Sequence, residues 1–79
     1  MKIEEFARVV AEGLEVPPES VGPDTDSSEV EQWDSLGHLT LLMHLEKVFD
    51  GVTNDMPELA GAGSVREMYD MLAAKCSWS

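Results

Sequence analysis

Apolar positions recur at helical spacing in three stretches of the chain. In the first, Ile3, Phe6, Ala7, Val10 and Leu14 follow the i, i+3, i+4, i+7 rhythm, and Glu4, Glu5, Arg8 and Glu12 take the other side. This predicts an amphipathic helix of about three turns. Gly13 is expected to end it, because glycine enters the left-handed conformation without a Cβ penalty. Pro17-Pro18 then bars any continuation.

The second stretch runs from Trp33 to Asp50 and organises the rest. Asp34 and Ser35, both able to cap a helix, stand directly before a long apolar-periodic run. At roughly 100° per residue, Leu41, Leu42, Leu45, Val48 and Phe49 gather on one side and face a core. Leu36, Leu39 and Met43 gather on nearly the opposite side and are followed by Glu46 and Asp50. One buried stripe suffices to hold a helix, so the second reads as a contact surface. Asp50-Gly51 marks the end, with Gly51 as the terminating residue.

Between these helices, residues 15–34 are rich in Pro, Ser, Asp and Glu. Loops of this length tend to be functional or pinned, and Val16, Val21 and Val30 are the expected pins, with Trp33 closing over the core. Beyond Gly51, Asn54 or Asp55 can cap a short turn containing Met56, Pro57, Glu58, Leu59 and Ala60, which Gly61-Ala62-Gly63 breaks. Ser64-Val65-Arg66-Glu67 reads as a capping box opening a last helix, buried through Val65, Met68, Tyr69, Leu72 and Cys76. Ser77-Trp78-Ser79 is expected to fray. The predicted architecture is all-α: a small four-helix bundle of three main helices and one short one, with a long first loop, in a single domain over residues 1–79.

A chain of 79 residues has a small core and depends on compact packing. Cys76 is the only cysteine, which excludes an internal disulfide and any paired-cysteine zinc site. No apolar run is long enough to cross a bilayer and no secretory h-region is visible, so a cytoplasmic protein is expected. Sixteen acids against five bases argue against nucleic acid or an anionic membrane as partner and favour basic protein surfaces. The same acidity would also keep a small domain soluble.

The residues Asp34-Ser35-Leu36 at the start of an amphipathic helix resemble the Asp-Ser-Leu motif of acyl carrier proteins. The longer form Trp33-Asp34-Ser35-Leu36-Gly37-His38-Leu39 is similar to free-standing carriers of specialised pathways. The order of helix, long loop, helix, short helix, helix also matches the carrier fold. The resemblance implies that Ser35 is esterified with phosphopantetheine taken from coenzyme A, making the chain a phosphoprotein that holds an acyl or aminoacyl thioester and performs no catalysis itself. It implies a phosphopantetheinyl transferase, acyl-loading enzymes and acyl-transfer or condensing enzymes as partners of a monomeric carrier, as in fatty acid or polyketide biosynthesis. Leu36, Leu39, Met43, Glu46 and Asp50 form the expected docking face. Thr40 and Lys47 stand where many fatty-acid carriers keep acids, a departure from primary fatty-acid synthesis. A peptidyl or aminoacyl carrier is the alternative within the class, although Gln32-Trp33-Asp34 replaces the Gly-Gly such carriers often show. An unmodified acidic helical interaction module is the alternative outside it.

The candidate chemistry narrows on Ser35. Asp34 can do the capping, which leaves the Ser35 hydroxyl free, and an anion there would face the positive end of the helix dipole. His38, one turn later, lacks the orienting acid and oxyanion hole that a Ser–His nucleophile requires and is expected to be a satisfied structural histidine on the core side. His44 falls on another face, so the two histidines share no metal. Asp24, Asp26 and Ser28 resemble the opening of a calcium loop, but the glycine and final carboxylate of that pattern are missing, and no metal site is expected.

Overall fold

A computed structural model describes residues 1–50 and 56–76 of the chain. Three helices carry the fold: α1 (Ile3–Leu14), α2 (Ser35–Val48) and α3 (Val65–Cys76). A short 3-10 helix, Pro57–Gly61, precedes α3. There is no strand among the described residues, so the all-α expectation holds. Gly51, the Asn54 or Asp55 cap and the 77–79 tail lie outside the described residues, as does the side chain of Cys76.

Phe6, Val10, Leu41, Leu45, Leu59, Val65, Met68 and Leu72 are fully buried in one core shared by all three helices and the short one. Phe6 is central to it, with its ring 5.9 Å from Tyr69 and 6.3 Å from Phe49. The predicted apolar stripes are therefore correct in their main members. Val48 is the exception: Phe49 packs against Phe6 at the end of α2 and leaves Val48 43% exposed.

Gly13 does not end α1. The helix continues through Leu14, and Glu15 takes the left-handed turn at φ 60°. The amides of Glu15 and Val16 donate to the carbonyls of Glu12 and Ala11, the paired bonds of a Schellman ending. Gly13 is instead buried where α1 meets α2, and a Cβ there would stand 2.6 Å from Leu41 Cδ1 and 3.2 Å from His44 Cβ. The missing side chain lets the two helices approach. Asp50, beyond the end of α2, also takes a left-handed backbone, at φ 53°.

The long loop is pinned as its valines suggested. Val21, Val30 and Trp33 are buried, and Val16 packs partly buried against the core. Two short 3-10 turns, Pro18–Ser20 and Ser27–Glu29, break its length. A single antiparallel bridge, Asp26 to Ser64, ties it to the start of α3: Ser27 N–H donates to the Gly63 carbonyl at 2.8 Å and Val65 N–H to the Thr25 carbonyl at 3.0 Å. Asp24 and Arg66 add an exposed ion pair at 2.8 Å beside it. Hydrogen bonding to Asp24, and then its charge, raise the Arg66 pKa further above its ordinary value.

Candidate functional site at the start of the second helix

The first turn of α2 is closed from several directions. The Asp34 carboxylate accepts from Gly37 N–H at 2.8 Å, and the Asp34 carbonyl accepts from His38 N–H at 2.8 Å. Asp34 is thus the N-cap, and Ser35 is the first helical residue. The Ser35 side chain is exposed, and no described residue holds its hydroxyl. The first amides of a helix have no intrahelical partner, so a negative group on that hydroxyl would sit at the favourable end of the helix.

Gly37 was not singled out from the sequence, yet the turn depends on it. A Cβ at Gly37 would overlap the Gln32 carbonyl, and the Asp34 carboxylate oxygen would lie only 3.3 Å away. A glycine three residues into a helix, where better helix formers abound, was the available signal of a close backbone approach.

Trp33 and His38 form the inner wall. The Trp33 indole is 4% exposed and lies nearly parallel to the His38 ring, at an interplanar angle of 12°. Its N–H donates to His38 Nδ1 at 2.8 Å. On the other side of the ring, His38 Nε2 lies 2.9 Å from the Leu59 carbonyl. An indole N–H can only donate and a carbonyl can only accept, so the pair assigns the proton to Nε2. The expectation of a satisfied structural histidine is correct. His44 is on a different face, against Gly13, and its buried Nε2 has no hydrogen-bond partner among the described residues.

An open groove of about 600 Å³ begins at Ser35 and passes between Trp33, His38, Leu39 and Leu42 of the α2 side and the 60–63 segment. Ala60, Gly61, Ala62 and Gly63 give that far wall almost no side-chain bulk. The second stripe of α2 projects into solvent, with Leu39 at the edge of the groove: Leu36 is 72% exposed, Leu39 55% and Met43 58%. Asp50 is exposed as expected, whereas Glu46 is half-buried and makes interactions of its own. The docking face expected from the sequence is therefore apolar over its first two turns and less openly acidic beyond them.

Two acids of the long loop are engaged by neighbouring groups. Asp24 faces Arg66, and Asp26 caps the Ser27–Glu29 turn, accepting from the Ser28 hydroxyl and amide. Those bonds, the hydroxyl first, hold the Asp26 carboxyl below its ordinary pKa. No group of three or more metal-ligating side chains occurs among the described residues.

The sequence model of the family described as phosphopantetheine attachment site matches residues 4–72. The chain belongs to that family. Its members are carrier domains that hold a phosphopantetheine group covalently and work with partner enzymes such as transferases and synthases. Such domains are non-catalytic carriers. Neither the search of curated proteins nor that of solved structures returned a match. No described helix is long and apolar enough to cross a membrane.

Proposed function

We propose that the chain is an acyl carrier whose phosphopantetheine is attached at Ser35. One observation carries this reading: Asp34 satisfies the helix start through Gly37, leaving the adjacent Ser35 hydroxyl exposed and unbonded among the described residues. In the attachment step the Ser35 oxygen bonds the phosphorus that carries pantetheine. The pyrophosphate P–O bond of coenzyme A breaks, adenosine bisphosphate leaves, and the serine proton passes to a base on the transferase. The residues fit the product. A phosphodiester on Ser35 lies at the positive end of α2, next to an open groove. Bound there, the group supplies a thiol that carries an acyl cargo as a thioester.

The chain's own residues then position and present. Asp34, Gly37 and His38 fix the turn that displays the arm. Leu36, Leu39 and Met43 offer partner enzymes an apolar face beside it, and Asp50 flanks that face with charge. Tethering replaces dilute encounter by a high local concentration of cargo at each docked enzyme.

The test is incubation with coenzyme A and a broad-specificity phosphopantetheinyl transferase, read by intact mass. One phosphopantetheine should be added to the parent chain and none to Ser35→Ala, with helicity equal in both. Addition at Ser20, Ser27, Ser28 or Ser64 instead would overturn the assignment. No addition at all would favour an unmodified interaction module.

A further inference from the structure

His38 holds both residues that precede Ser35. Its side chain accepts from the Trp33 indole at 2.8 Å, and its backbone N–H donates to the Asp34 carbonyl at 2.8 Å. Its other ring nitrogen donates to Leu59, the central residue of the short helix, at 2.9 Å. We infer that His38 is a positioning residue for the modification of Ser35, acting through Trp33; this rests on Ser35 being the attachment point.

The Asp34–Gly37 cap is exposed, so water competes for both of its partners. The Trp33–His38 bond is partly buried, where a hydrogen bond is stronger and its loss leaves the indole donor without an acceptor. Trp33 is also anchored at its backbone, its N–H donating to the Val30 carbonyl at 3.0 Å. The direction from which the chain enters α2 is therefore set at Trp33, and His38 is what holds the indole in place. A transferase must bring the Ser35 oxygen in line with the phosphorus it attacks, and small displacements of a reacting atom are costly in rate. The bond from His38 to Leu59 serves a different end. It holds the short helix that leads into the far wall of the groove, without touching Trp33 or Ser35.

The two halves can be separated by substitution. In His38→Asn, the amide oxygen reaches about as far as Nδ1 and can still accept from Trp33, but nothing reaches Leu59. In His38→Gln, the longer amide reaches toward Leu59 and the acceptor for Trp33 is lost. Trp33→Phe removes the indole donor and keeps a ring. Steady-state modification by the transferase with coenzyme A, thermal melts, and the indole N–H resonance of Trp33 are measured on all four chains. His38→Asn should retain kcat/KM within about twofold, whereas His38→Gln and Trp33→Phe should each lose about tenfold, mainly in kcat. His38→Asn and His38→Gln should melt at similar temperatures, so the difference in modification is not a difference in folding. The Trp33 indole signal should stay shifted in His38→Asn and move in His38→Gln. Losses that follow melting temperature across the variants, or a Trp33→Phe chain modified like the parent, would overturn the inference and leave Ser35 as the attachment point. A parent chain that gains no mass would overturn both. If Trp33→Phe fails to fold, the Asn and Gln variants decide alone.

Discussion

The α-carbon of Gly37 sits against the carbonyl of Gln32 with no room for a methyl group between them. The obstacle is backbone, which cannot rotate aside as a flexible side chain can. Gly37→Ala should therefore destabilise the domain on the order of 2 kcal/mol, despite the better helix propensity of alanine. In a domain of this size that corresponds to a melting temperature lower by about 8–16 °C. Unchanged melting would show that the Gln32–Gly37 approach is not required.

Glu15 predicts the opposite sign. It ends α1 in the left-handed region at φ 60°, a conformation that costs a residue with a Cβ roughly 1–2 kcal/mol. Its side chain is exposed and makes no hydrogen bond or ion pair among the described residues. Glu15→Gly should raise stability by about 0.5–1 kcal/mol, the gain in the folded state being partly offset by a freer unfolded chain. Urea unfolding of the two chains checks it; a less stable glycine variant would refute the Schellman account.

Asp26 gives a pH dependence with a definite sign. Its carboxyl is held below the ordinary value of 3.8 by the Ser28 hydroxyl and amide. A depressed folded-state pKa contributes stability that is present above the unfolded pKa and is lost as pH falls through the folded one. The parent should therefore lose more melting temperature than Asp26→Asn between about pH 6 and about pH 3, and the two curves should converge at the acid end. Parallel curves would show that the turn cap does not titrate in this way.

Docking to a partner enzyme should be led by apolar contact. Leu39 and Met43 are each more than half exposed (55% and 58%), and burying such a side chain in a partner contributes roughly 1.5–3 kcal/mol. Exposed ion pairs contribute about 0.2–1 kcal/mol and weaken with salt. At physiological salt, Leu39→Ala or Met43→Ala should weaken association more than Glu46→Gln or Asp50→Asn. Asparagine is the proper substitution at Asp50, since it tolerates the left-handed backbone found there at φ 53°. Greater loss in the carboxylate variants would mean that charge directs recognition.

The legible parts of this chain were those set by local pattern. Leu41 and Leu45 facing inward, Leu36, Leu39 and Met43 facing outward, Asp34 as cap and the valine pins all follow from spacing and side-chain chemistry. The misread positions depend on what lies opposite. Gly13 near the end of an apolar run looks the same whether it terminates a helix or admits a neighbouring one, and only the approach of Leu41 and His44 distinguishes them. Val48 has the angle of a core residue, but Phe49 fills the end of the interface. The capping box of Asp26 and Glu29 is a local i, i+3 pattern that was passed over because the neighbouring acids were weighed as cation ligands. In the site, the Trp33–His38 bond needed the loop to return its indole to the face of α2 five residues later.

The two apolar faces of α2 separate what the helix must keep from what it is free to change. Leu41 and Leu45 are fully enclosed, so drift at those positions is limited by volume. Leu36, Leu39 and Met43 contact little of the interior and can be exchanged at small folding cost. If these three side chains form the proposed docking face, a lineage carrying this scaffold could move from one set of client enzymes to another through them, each step leaving a folded protein. The same partition makes α2 a convenient graft: an outward triplet from a different carrier could be installed here to test which enzymes will accept it, with the interior untouched.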